Sequence, residues 1–201
     1  KNPKLAVPIV LIAGIFWSFG PYVVRNIDEA HLIPWQYLFT RGLVIFILLN
    51  FYLYLDEGIN FIKNYKKIGI SGIVGAIGLA FAMITFIWSI TNTSAAITLL
   101  CLAAMPFITA LLGFLFLKEE ISINVWVAIG IASVGIIIMA AGNHEKNTLI
   151  GFILGIISAI GFSVFSVSLR WRKETPKFTT VAIAGLICFL VSLIVVINKD
   201  L

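Results

Sequence analysis

Residues 95–117 read AAITLLCLAAMPFITALLGFLFL, 23 positions without one charged side chain. A helix rises 1.5 Å per residue, so about 20 mostly apolar residues cross a hydrocarbon core of about 30 Å. This stretch is long enough to do so. Six others in the chain match it: Leu5 to Val24, Pro34 to Leu55, Ile68 to Ile90, Ile123 to Ala141, Leu149 to Leu169 and Phe178 to Ile197. Mean hydropathy is +1.09, with 61% hydrophobic and 11% charged residues, whereas soluble domains sit nearer half apolar. The expectation is an all-α, polytopic membrane protein with seven transmembrane helices and no soluble domain.

Charge placement sets the expected topology. The acidic residues Asp28, Glu29, Asp56, Glu57, Glu119, Glu120, Glu145, Glu174 and Asp200 all fall between spans or at their edges. Among the basic residues, ten share one side: Lys1, Lys4, Lys63, Lys66, Lys67, Lys118, Arg170, Arg172, Lys173 and Lys177. Arg25, Lys146 and Lys199 make three on the other side, and Arg41 lies inside the second span. Short loops rich in Lys and Arg stay cytoplasmic. The N-terminus is therefore expected in the cytoplasm and the C-terminus outside, in a multi-pass protein of a bacterial-type inner (plasma) membrane. The net charge of +5 follows from this bias and fits anionic lipid head groups of the bilayer. No nucleic-acid partner is expected, because no such motif is present.

Lys1 and Lys4 resemble the charged start of a signal peptide, but the apolar run that follows exceeds the usual 7–15 residues and lacks a small-x-small cleavage site. It is read as a helix that stays. Cys101 and Cys188 lie within spans, where a thiol acts as a small apolar group. They predict neither a disulfide nor a metal site, and no cofactor is expected.

Shifting the sequence by 145 places Gly14, Trp17, Ser18 and Arg25 on Ala159, Phe162, Ser163 and Arg170. Five spans separate the two copies, so they run in opposite directions, which is an inverted-topology repeat of the kind found in secondary transporters. Chance similarity between helices rich in glycine and aromatic residues is the alternative. The repeat divides the chain into residues 1–141, with five helices, and residues 142–201, with two. Gly151, Gly155, Ala159 and Ser163 form a stripe four residues apart, as do Gly72, Ala76 and Ala80. Such stripes let helix backbones approach closely in lipid.

Several motifs carry a family resemblance. They are Asn92-Thr-Ser-Ala-Ala-Ile-Thr-Leu-Leu, then Met105-Pro106-Phe-Ile-Thr-Ala-Leu-Leu-Gly, then Lys118-Glu-Glu-Ile-Ser and Trp126-x-x-x-Gly130 with Gly135. Together they resemble the fourth and fifth helices of the EamA domain, of the drug/metabolite transporter superfamily. Gly14, Trp17, Ser18 and Arg41-Gly42 resemble its first two helices. The resemblance implies a ten-helix carrier of two inverted five-helix repeats, with a central cavity and alternating access, moving small metabolites such as amino acids. Against that pattern the second repeat is expected to lack three helices here, to be supplied beyond Leu201 or by assembly as a homodimer.

Candidate substrate-binding residues follow. Arg41 is the one ionisable group well inside a span, about 10 Å below the boundary at Pro34, where a charge must face protein or water. It is a candidate to hold a substrate carboxylate, the alternative being a bond to backbone carbonyls or snorkelling. Trp17 and Phe162, related by the repeat, and Phe81 and Trp88 offer aromatic walls. Ser18 and Ser163 accompany the repeat, and Thr85, Thr98 and Thr109 offer hydroxyls that commonly bond their own helix. Pro106 cannot donate to the Leu102 carbonyl and is a candidate hinge. Lys118-Glu119-Glu120 reads as a solvated turn or helix cap, with a gate as the sharper alternative.

Other classes fare worse. A retinal protein needs a lysine in its last span, and Phe178 to Ile197 has none. An intramembrane hydrolase needs an acid-base group at depth, yet His31 and His144 are in loops and no carboxylate is buried. The expected function is a secondary transporter rather than an enzyme, with a membrane-embedded structural or receptor-like protein as the alternative. Without a buried carboxylate in these seven spans, facilitated exchange or efflux is expected in place of proton coupling, unless the absent helices carry an Asp, Glu or His. No Walker A loop is present to drive primary transport.

Overall fold

A computed structural model describes residues 34–141 and 148–198, with ten further positions between 8 and 24; at positions 136, 137, 139–141 and 148 only the backbone is described. The ten early positions are all helical. Trp17, Ser18 and Arg25, and with them half of the first expected span, lie outside the described residues, as do His31 and His144.

Helix α1 spans Pro34–Glu57, a 3-10 turn covers Gly58–Phe61, and the short α2, Ile62–Lys67, precedes α3 at Gly69–Asn92. Then come α4 (Ala95–Ala103), α5 (Met105–Leu117), α6 (Ile123–Ala141), α7 (Thr148–Trp171) and α8 (Lys177–Asn198). No strand occurs among the described residues. Five segments are long and apolar enough to cross a membrane, namely Pro34–Lys67, Gly69–Asn92, Ala95–Leu117, Leu149–Trp171 and Lys177–Asn198, with Ile123–Gly135 as a shorter apolar helix. The fold is that of an all-helical, multi-pass membrane protein.

Local chemistry fixes the boundaries. Gly69 opens α3 at φ +59°, a left-handed conformation that only glycine enters without strain. Thr93 leaves the helix in an extended conformation, and the Ser94 side chain caps α4 by accepting the Ile97 amide at 3.2 Å. The expected fourth span is broken at Ala104. Pro106 supplies no amide hydrogen there, so α4 ends and α5 starts afresh with proline in its first turn.

Helices α3 and α7 are the antiparallel centre of the molecule, joined along their length. Ser89 donates to the Gly151 carbonyl at 2.7 Å, and Ser158 donates to the Ala82 carbonyl at 2.9 Å. At the far end Ser71 and Thr175 bond at 2.7 Å. Both expected stripes are packing surfaces. Gly151 lies against Thr93, Gly155 against Cys101 and Ser89, and Gly72 against Thr175, while Ala76, Ala80 and Ala159 are buried. Helix α8 packs on α3 and, antiparallel, on α1. There Gly42 and Gly185 face each other across backbone atoms, a Cβ on either one meeting the carbonyl oxygen of the other at 2.7 and 3.0 Å.

The interior collects serine, threonine, glycine and alanine, with Ser89, Thr98, Ser158, Ser163, Thr179 and Ser192 fully buried. Large apolar side chains such as Phe51, Leu55, Phe116 and Ile131 stand exposed on the outside. In water such a surface would aggregate; in lipid it is solvated, and helices associate through close backbone contact and hydroxyl bonds. Lys63, Lys66, Lys67, Lys118, Arg170, Arg172, Lys173 and Lys177 all fall at one end of the bundle, the ends of α1, α5 and α7 and the starts of α3 and α8.

Candidate functional site

Two apolar recesses follow the seam between α3 and α7. The larger, about 370 Å³, lies toward the basic end and is walled by Val74 of α3, Leu112 and Phe116 of α5, and Val164, Val167 and Trp171 of α7. The second, about 300 Å³, runs on toward mid-bundle past Ile77, Phe81, Ile157 and Ile160. Val74 and Val164 border both, so the two form one trough. Close approach of α3 and α7 makes its floor. A Cβ on Gly161 would stand 2.6 Å from the Gly78 carbonyl oxygen, so the helices touch backbone to backbone there. The 370 Å³ volume suits a small molecule. One hydroxyl lines that part, that of Ser168, and it donates to the Phe165 carbonyl at 2.7 Å.

Of the sequence-predicted residues, Phe81 is in the trough, 54% exposed. Thr85 is buried and donates its hydroxyl to the Phe81 and Ala82 carbonyls at 2.9 and 3.3 Å, within its own helix. Phe162 packs against the apolar core. Ser163 is fully buried and its hydroxyl reaches the Ala159 carbonyl at 2.8 Å and the Met105 carbonyl at 3.1 Å, beside the helix break. Trp88 stacks edge-on against Trp35 at 5.7 Å and shares the core. Arg41 is half-buried on α1, in electrostatic reach of the Cys188 thiol across the α1–α8 crossing, and borders neither recess. Among the described residues no carboxylate pairs with it. The structure thus brings Phe81 to the trough, Ser163 to its supporting break, and leaves Arg41 on another face of the bundle.

Sequence reasoning missed the α5 and α7 residues of the trough, and it missed a clasp beside them. Arg170 Nη1 donates to Glu119 Oε2 at 2.8 Å, while Nη2 donates to the Thr109 carbonyl at 3.2 Å. Lys118 ends α5 in the left-handed region at φ 56°, and the Glu119 amide turns back to the Gly113 carbonyl at 3.2 Å, a helix cap. Gly113 leaves the space the clasp fills, since a Cβ there would meet Glu119 Oε2 and Arg170 Nη2. The available signal was opposite charge at the same end of two spans.

Residues 4–141 match the EamA-like transporter family. Among curated proteins, a Helicobacter pylori (strain J99) protein named an uncharacterized transporter is 26% identical over 171 residues, covering 84% of this chain and 56% of its own length. The Bacillus subtilis (strain 168) protein named uncharacterized transporter YojE is 27% identical over 146 residues, covering 68% of this chain and 47% of its own. The chain spans about half the length of the curated relatives it matches. No solved structure gives a significant match.

Proposed function

Because this chain belongs to the EamA-like transporter family of the drug/metabolite transporter superfamily, we propose that it moves a small metabolite, such as an amino acid, through the α3–α5–α7 trough by alternating access. The trough carries this reading: a recess of ligand size between two continuous helices and one broken helix, with backbone contact at its floor. A moving wall needs a joint, and the interruption at Ala104 provides one. Aromatic and branched walls suit the apolar part of an amphipathic solute, with Phe81 at the mid-bundle end. Exchange or efflux is the proposed mode of transport unless further helices carry an Asp, Glu or His into the cavity.

The inverted repeat belongs to the same proposal. In that repeat α1 and α8, the second and seventh expected spans, are the related pair, and their antiparallel packing at Gly42 and Gly185 supports it. The greater length of the relatives supports a cavity whose opposite wall comes from further helices, or from a second copy of the chain. The basic end is assigned to the cytoplasm, of a bacterial inner membrane, with the N-terminus on the same side.

The test is solute flux in proteoliposomes. Val164→Trp places an indole where the two recesses join and is expected to lower flux at least about tenfold while the chain still inserts and folds. Equal flux in this variant removes the trough from the pathway.

A further inference from the structure

We propose that Arg170 and Glu119 form a latch that holds α5 against α7 at the basic end of the trough, with α5 as the moving element. This rests on the alternating-access reading above and adds the part that moves. Helix α5 is tied to α7 at three points. At the start Ser163 reaches the Met105 carbonyl, next to the break at Ala104; one turn on, Arg170 donates to the Thr109 carbonyl, and just past the end the same guanidinium holds Glu119. Between these ties, Leu112 and Phe116 face the recess. A rod fastened at a joint and caught at its free end is a lever. Its 13 residues make it about 20 Å long, so a rotation of about 10° at the joint carries the free end about 3 Å. That is enough to part Glu119 from Arg170 and to widen the recess edge between α5 and α7.

The two ends differ in strength in the sense a latch requires. At the joint the fully buried Ser163 hydroxyl lies between the Ala159 carbonyl of its own helix at 2.8 Å and the Met105 carbonyl at 3.1 Å, so the contact with α5 is held mainly by packing. The clasp is a charge pair whose side chains are 41% and 39% exposed, so water can replace its partners at little cost. The left-handed turn at Lys118 and the missing side chain at Gly113 aim Glu119 back along α5 at Arg170, where a helix running on would carry it away.

The measurement is maleimide labelling of the whole chain in detergent, with Cys101→Ala and Cys188→Ala in the background and Val167→Cys as reporter, because Val167 is buried in the recess wall. Arg170→Gln is expected to speed labelling about fivefold and Glu119→Gln, which keeps the Arg170 bond to the Thr109 carbonyl, about twofold, while Arg170→Lys, which keeps the charge pair, is expected to retain most of the parent rate. A second reporter, native Cys188 kept as the one cysteine, lies buried between α1 and α8 and is expected to stay unreactive in the same variants. An unchanged rate at Val167→Cys, or an equal rise at Cys188, overturns the latch. Should Arg170→Gln fail to fold, Glu119→Gln decides alone, since it leaves the Arg170 bond to the Thr109 carbonyl. Labelling does not depend on flux, so a parent chain that opens on latch removal yet carries no solute refutes the transport reading and leaves the latch standing.

Discussion

Adding one methyl group at the α1–α8 crossing tests whether that contact is as close as described. In Gly42→Ala the new Cβ would lie 2.6 Å from the Phe189 amide nitrogen and 2.7 Å from the Gly185 carbonyl oxygen. Both are backbone atoms, so no rotamer change relieves them. Ordinary contact begins near 3.4 Å, and α8 must withdraw by about 0.8 Å, a gap that forfeits a quarter to a half of each dispersion contact it opens. Overpacking of this kind costs about 3 kcal/mol at the upper end, and alanine's better helix propensity returns about 1 kcal/mol. The net of about 2 kcal/mol corresponds to a melting point lower by about 4–8 °C for a chain of this size. Thermal denaturation of the detergent-purified protein, followed by tryptophan fluorescence, reads the shift. Gly130→Ala and Gly135→Ala are the controls, because nothing lies within 4 Å of a Cβ at either site; they are expected to leave the melting point unchanged or to raise it. If Gly42→Ala melts within about 1 °C of the parent, the close crossing is wrong.

Three further outcomes are expected. Cys101 and Cys188, both fully buried, should react with maleimide at least about tenfold more slowly in the folded protein than in denaturant; equal rates would place them on an open surface. Pro106→Ala restores an amide hydrogen for the Leu102 carbonyl and should join α4 to α5, with slower flux in proteoliposomes, so flux at the parent rate excludes the joint at Ala104 as a hinge. Arg41 borders neither recess, so Arg41→Ala is expected to leave flux through the trough at the parent rate; loss of uptake of an anionic or zwitterionic solute in a folded variant would put Arg41 back in the pathway as a carboxylate ligand.

Helix placement was legible because lipid imposes a length and a composition that survive in the sequence as apolar runs bounded by charge. The runs at 34–55, 68–90, 95–117, 149–169 and 178–197 correspond to helices within a few residues of the same ends. Proline at 106 announced a disturbance, and the structure places it at Ala104, the one residue between the two helices. The glycine and alanine stripes were legible for a similar reason, since spacing by four is a property of one helix. Contacts between helices were not. Nothing local tells Thr85 to spend its hydroxyl on its own carbonyls while Ser89 spends one on Gly151, and nothing local pairs Arg170 with Glu119, 51 residues away. Arg41 stood out because it is charged at depth, whereas the trough is lined by valine, leucine and phenylalanine, the commonest residues of any membrane helix, so composition could not mark it.

The seam between α3 and α7 has a mechanical consequence. Small residues set the distance between the two helices, and side chains seated in the gaps set their relative height. Val164 of α7 fills the space over Gly78 of α3, and Thr93 at the end of α3 fills that over Gly151 of α7, while Ser89 and Ser158 each bond one carbonyl of the partner helix. A slide of one residue, about 1.5 Å, would unseat both side chains and stretch both bonds. The pair is pinned in height as well as in separation, a keel against which the surrounding helices move.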